Sequence, residues 1–276
     1  MTINTIDEGK AILKKHYNKQ KEIAIKSGIK EDILWIEQKY IHSLEVFKMS
    51  EYLIENDEIL KNLPLKIKLY GKLGALLHDI GRFYEIGKIE KSSTQHGVIG
   101  ANILEQEENE NNIFLIYSFK YHDDFLSKEK TLQDLNKLNL NEKDKENIIL
   151  LLNLIKNSDK LSNFELFKNI DKVYFLSKEL LPFFTDSCLN NFKNRQLINN
   201  KEKQSIFDQM LGYIVWCYDL NFYTSKLFIK NNNYLFDFIS MMKKIANDFN
   251  NKSDTEYLLN TISIIEKQLK QDNLLK

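Results

Sequence analysis

The chain has 276 residues with 39 Lys and Arg against 39 Asp and Glu, a formal net charge of zero, so it lacks the long-range pull expected of a binder of nucleic acid or anionic membranes. Hydrophobic residues make up 43 %, with 17 Phe and 13 Tyr, enough for a sizeable core in one large domain or in a domain plus an extension. No stretch approaches the roughly 20 apolar residues needed to cross a bilayer, "MTINTIDEGK" lacks signal-peptide order, and Cys188 and Cys217 lack metal-site spacing, so a cytoplasmic protein with two reduced core thiols is expected.

Two prolines, nine glycines and few alternating β-branched runs leave too few breakers for a sandwich or barrel, while 3.6-residue periodicity recurs throughout. The chain is therefore predicted to be all-α. In order, helices are expected over 31–56, 65–79, 96–107, 112–122, 145–168 and 204–230, with weaker ones near 172–181, 234–249 and 254–271. The organisation read from this is a helical lead-in (1–30), a main helical domain (31–170) and a helical C-terminal extension (171–276) packed on it. Polar pieces such as "EQEENENN" and "LNKLNLNEKDKEN" are expected as solvated connectors. The stripe Phe207, Leu211, Ile214 and Tyr218 reads as core or subunit packing, and Asp219, Asn221 and Tyr223 are candidates to reach a substrate from the extension.

The helix over 65–79 carries a stripe of Leu65, Leu69, Leu73, Leu76 and Leu77, and then places His78 and Asp79 side by side where burial is expected. Gly74 and Ala75 permit close approach of another helix, and Gly81 is expected to stop this one at its C′ position. Similar intrusions recur. His42 shares a stripe with Val46, Met49 and Leu53, and Asp159 continues Ile148, Leu152 and Ile155. His96 opens "QHGVIGANIL", whose Gly97, Gly100 and Ala101 allow tight packing, and His122 ends "NNIFLIYSFKYHDD". His16, in "KKHYNKQK", is expected at the surface.

A carboxylate on an apolar stripe costs several kcal/mol unless paired or bound to a cation. Imidazoles and carboxylates without thiolates suit iron or manganese first, with cobalt, zinc, magnesium or nickel as alternatives. Six candidate ligands suit two divalent ions about 3.5–4 Å apart that share a bridging carboxylate.

The ordered set His42, His78-Asp79, His96, His122, Asp159, with the phrases "HSLEVFKMSEYL", "LGALLHDIGRF", "QHGVIGANIL" and "NSDKLSNFELF", resembles the HD-domain superfamily of metal-dependent phosphohydrolases, and its binuclear branch in particular. The resemblance covers roughly residues 33–168. It implies a helical bundle in which one metal takes His42, His78, Asp79 and Asp159, the second takes Asp79, His96 and His122, and Asp79 bridges. "DDFLSKEKTL" after His122 has no GYP signature and no second adjacent histidine, which disfavours the cyclic-di-GMP phosphodiesterase branch. The HD motif also lacks the glutamate-aspartate pair of alarmone hydrolases, and the small dinucleoside-tetraphosphate hydrolases share the ligand order but not the C-terminal region.

The expected activity is hydrolysis of a phosphoester or phosphoanhydride in a small phosphorylated substrate, a nucleotide by preference, by a metal-activated hydroxide. Asp79, Arg82 and Lys160 form the candidate catalytic set, the last two as phosphate binders with structural ion pairing as the alternative. No nucleic-acid or membrane partner is indicated, and a homodimer is compatible. A di-iron oxygenase of the same superfamily and a noncatalytic nucleotide-binding regulator are the other readings. Lys91, Ser93 and Thr94 suggest either an anion site before the His96 helix or a plain N-cap. Asp123, followed by Asp124, is a candidate further ligand or an orienting partner for His122. In the metal-free protein Asp79 is expected to be an uncompensated buried carboxylate.

Overall fold

The computed structural model describes residues 3–87, 96–123, 126–168, 183–249 and 251–275. Among these there are helices and no strands, as the periodicity predicts. The helix expected near 172–181 and the residues Lys91, Ser93, Thr94 and Asp124 lie outside the described residues. The chain divides into two compact units, Met1–Ser162 and Asn163–Lys276. Neither contains a helix among the described residues long and apolar enough to cross a membrane.

The first unit opens with α1 (Ile6–Ser27), started by a capping box in which Thr5 and Glu8 satisfy each other's backbone N–H groups. Its buried side carries Gly9, Leu13, His16, Gln20 and Ala24. It packs on α2 (Lys30–Asn56) and α3 (Leu65–Leu77), and α3 packs in turn on α5 (Ile113–Phe119). A 3-10 turn over Ile80–Glu85 lies against α4 (His96–Gln106). The helices α6 (Ser127–Leu135) and α7 (Glu142–Lys168) follow, and the boundary between the units falls within α7. In the second unit α8 (Asp186–Lys193), α9 (Ile206–Ile214), α10 (Tyr223–Asn231), α11 (Tyr234–Asn247) and α12 (Lys252–Gln271) bury Phe207, Met210, Phe238, Ile262 and Leu269. Cys188 and Cys217 are free and buried there.

Several expectations are corrected. The α3 stripe is rotated: Leu65 is 84 % exposed and Leu69 half-buried, whereas Ile67, Tyr70, Leu73, Leu76 and Leu77 are buried. Two apolar faces overlap on this helix, and Tyr70 decides between them by stacking on Phe114 with ring centroids 6.0 Å apart. The helix expected over 204–230 is three pieces, because a 3-10 turn (Val215–Asp219) and extended Leu220 separate α9 from α10. The aromatic and Asp/Asn-rich "WCYDLNFY" is a poor helix former, and the Tyr218 hydroxyl donates to Asp272 at 2.7 Å. Part of the expected connector over 135–147 is the first turns of α7, and α6 and α8 are helices that periodicity did not reveal.

His16 is fully buried, not at the surface. Its Nδ1 lies 2.6 Å from the Tyr84 hydroxyl and its Nε2 2.7 Å from Glu108. "EQEENENN" is accordingly more than a solvated loop: Glu107 binds Lys19, Glu108 binds Lys15 and His16, and buried Glu110 accepts from the Ile3 N–H. Sequence shows the lysines around His16, but not the acidic partner 92 residues away.

Gly81 does not cap α3. Its φ is not in the left-handed region, and it sits inside the 3-10 turn. What requires glycine is proximity, since a Cβ at Gly81 would lie 2.1 Å from the His96 carbonyl oxygen and 2.9 Å from the Gly100 nitrogen. A side chain at Gly97 would likewise meet the Lys120 and Phe119 carbonyls at 2.6 and 2.8 Å. These contacts press the turn after Asp79, the start of α4 and the end of α5 together. Gly81→Ala is therefore expected to cost about 1–3 kcal/mol through overpacking against unyielding backbone, a drop of roughly 3–10 °C in Tm for a domain of this size. An unchanged melting curve by circular dichroism would show that the backbone yields without cost.

Candidate metal centre

All the positions involved lie in the first unit. His42 stands on α2 and Asp159 on α7, each one helical step from buried apolar neighbours. His78 is the C-cap of α3, and Asp79 follows in the sparsely populated bridge region (φ −99°, ψ 11°), between the helix and the 3-10 turn. His96 opens α4, and His122 lies in the turn after α5, its backbone N–H donating to the Phe119 carbonyl.

These elements bring two groups of buried side chains together, His42–His78–Asp79 and Asp79–His96–His122, and in each the ligand atoms all lie within 4.8 Å of one another. Asp79 belongs to both. Its Oδ1 is 3.0 Å from His96 Nε2, 3.6 Å from His78 Nε2 and 3.9 Å from His122 Nε2, while its Oδ2 is 3.8 Å from His42 Nε2. Asp159 is at the margin, 2.9 Å from His42 Nε2 and 3.9 Å from His78 Nε2, with its side chain 30 % exposed.

The outer nitrogen of every ring is held. His78 Nδ1 donates to the Ala75 carbonyl at 2.8 Å and His122 Nδ1 to the Phe119 carbonyl at 2.7 Å, which leaves lone pairs on both Nε2 atoms. His96 Nδ1 contacts Asp123 at 2.7 Å. His42 Nδ1 lies 3.3 Å from the Ser162 hydroxyl, which is able to donate to one tautomer or accept from the other. Among the described residues His78 Nε2 is buried with no hydrogen-bond partner, an orphaned lone pair beside two carboxylates. Such a pattern fits a cation. Neutral imidazoles and carboxylates suit a divalent transition metal, and the bonds at Nδ1 are the outer contacts that fix the ring orientation of metal-bound histidines.

Charge is compensated locally. Burial favours protonation of Asp79, but Lys39 and the hydrogen bond from His96 prevail and hold its carboxyl well below the usual carboxylate range. Lys39 Nζ donates to Asp79 Oδ2 at 2.9 Å. The expectation of an uncompensated carboxylate is thus corrected by a lysine three residues before His42, which sequence reasoning passed over. Burial drives His78 down to about 3 and lowers His122, so both are neutral. For His96 burial is outweighed by Asp123 and Asp79, which raise it to about 9. Burial of Asp159 is likewise outweighed, by the bond from His42, and its carboxyl stays ionised.

Of the two expected phosphate binders, Arg82 directs Nη1 to both oxygens of buried Glu85 (3.1 and 3.3 Å) and holds Nε 3.8 Å from Asp79 Oδ1. Breaking this buried pair would cost about 3–5 kcal/mol. Lys160 is buried on α7 next to Asp159. The Asp123 carboxylate lies 2.7 Å from His96 Nδ1.

The raised His96 value has a sign that can be checked in metal-free protein. A protonated imidazole between Asp79 and Asp123 contributes stability fully present below its unfolded value of about 6.5, and that stability is lost as pH rises through about 9. Asp79 and Asp123, both depressed, stay ionised across this interval. Tm in chelator is therefore expected to fall between pH 6.5 and 9, and His96→Gln to abolish that slope. An equal slope in both proteins would remove His96 as its source.

Residues 40–163 match the family model described as the HD domain. No curated protein and no solved structure gives a match. HD domains are typical of metal-dependent hydrolases, and their members bind divalent metals. The match of residues 40–163 to the HD domain goes with a helical fold, a His-Asp pair at the end of α3 and a buried His/Asp cluster able to hold metal.

Proposed function

We propose that this HD domain is a binuclear metal-dependent phosphohydrolase that cleaves a phosphoester or phosphoanhydride in a small phosphorylated metabolite, a nucleotide by preference. The observation that carries the reading is the sharing of Asp79 between two buried ligand groups, with Oδ2 toward His42 and Oδ1 toward His96. His42, His78, Asp79 and Asp159 would hold one ion, and Asp79, His96 and His122 the other. Divalent ions so held lower the pKa of a bound water toward ~7 and offset charge on phosphoryl oxygens.

The chain's own groups prepare for this chemistry. The Ala75 and Phe119 carbonyls keep the lone pairs of His78 and His122 aimed inward, and Asp123 does the same for His96 once its proton has left. Arg82, tied to Glu85, places a fixed positive charge beside Asp79 and positions the turn. Asp159 carries the most exposed carboxylate of the set and stands where water reaches the cluster. Lys160 is retained as a candidate phosphate contact on its place beside Asp159.

Protein purified without chelators is expected to carry close to two iron or manganese ions per chain and to release phosphate or a phosphorylated product from a phosphoester panel supplied with Mn²⁺, Fe²⁺, Co²⁺ or Mg²⁺. Oxygen consumption without phosphoester turnover would replace hydrolysis with the oxygenase reading. A protein whose stability and turnover ignore every divalent ion would end both. Asp79→Asn should lose both metals and nearly all activity, and with them the metal-dependent stabilisation of about 2.7 kcal/mol that wild type gains at a hundred times Kd. In chelator the variant should also be less stable than wild type by about 1–3 kcal/mol, because Lys39 and His96 lose their anionic partner. Metal binding equal to wild type by elemental analysis would make the Asp79 assignment wrong.

A further inference from the structure

Besides His96, a lysine and an arginine stand beside the Asp79 carboxylate, and they are held differently. Arg82 is fastened to Glu85, which is completely buried. Among the described residues Lys39 makes one hydrogen bond, to Asp79 Oδ2, and its Nζ sits 5.2 Å from the centroid of the Trp35 ring. Its side chain is 19 % exposed, and an ammonium carries three donors. Among the described residues the other two make no hydrogen bond. The bond it does make is to Oδ2, the same oxygen that faces His42. A dication held by His42 and Asp79 would compete for that oxygen and repel the ammonium. The four-carbon stem lets the charge swing away without a change in the backbone, which the Arg82–Glu85 pair does not allow.

Resting on the metal-dependent reading above, we infer that Lys39 is an exchangeable cation of this site: it holds the Asp79 charge when metal is absent, and when metal enters it turns outward to bind the phosphoryl group of the substrate. The ligand class is a phosphate dianion, recognised between the metal and an ammonium. Arg82, anchored through Nη1 on Glu85, stays with the turn as a fixed charge beside Asp79.

The exchange requires two effects of opposite sign in one variant. Lys39→Met keeps the length of the side chain and removes the charge. Titrated with Mn²⁺ alone by calorimetry, Lys39→Met should bind the metal about tenfold more tightly than wild type, because the competing bond and the repulsion are both gone. Titrated with inorganic phosphate after loading with Mn²⁺, it should bind about tenfold or more weakly, the worth of a charge-assisted hydrogen bond. Lys39→Arg, which keeps the charge, should restore much of the phosphate affinity. A lysine that merely supports the fold would weaken both titrations together, and that result overturns the proposal. So does unchanged phosphate affinity in Lys39→Met, or the absence of phosphate binding in Mn²⁺-loaded wild type. If wild type takes up no Mn²⁺ at all, the metal-dependent reading fails first and the role of Lys39 falls with it.

Discussion

The architecture of the first unit turns on one carboxylate taken out of water. Burying an isolated carboxylate is prohibitive, so Asp79 exists only with its surroundings. Those surroundings come from α2 (Lys39 and His42), the end of α3 (His78), the following turn (Arg82), the start of α4 (His96) and the turn after α5 (His122). Only His78 and Arg82 lie within a few residues of Asp79 in the chain, so the charge is fully compensated only when the unit is folded. The backbone follows the same requirement: α3 stops at His78, Asp79 takes a bridge conformation, and Gly81 lets the turn touch the carbonyl of His96.

The site and the fold were not equally legible in the sequence. Histidines and aspartates on apolar stripes stand out because a buried polar group needs a reason, and the structure brings all six predicted positions to one place. Lys39 did not stand out, because a lysine in a helix rich in charged residues has an ordinary explanation at the surface. Its role is visible only once Asp79 is placed 2.9 Å from it. His16 failed for the mirror-image reason: surrounded by lysines, it looks solvated, yet its partners Tyr84 and Glu108 come from distant positions. Periodicity gave the long helices to within a few residues, but it could not choose between overlapping faces on α3 or see the break between α9 and α10, where hydrogen bonding by Tyr218 and poor helix propensity decide.

The two sides of Asp79 differ in access, and this follows from which elements supply them. The Oδ1 side is closed by His78, His96 and His122, whose rings pack edge to face with centroids 5.0 Å apart for His78 and His122 and 4.7 Å for His96 and His122. The close backbone contacts at Gly81 and Gly97 leave that side little freedom to open. The Oδ2 side is supplied by α2 and α7, and it carries the two most exposed charged groups of the cluster, Lys39 and Asp159. A carboxylate with one rigid, enclosed face and one partly exposed face binds differently on its two oxygens even though the atoms are chemically equivalent. The helix that carries His42 brings Lys39 with it one turn earlier, so ligand capture and charge exchange are coupled through a single rigid element.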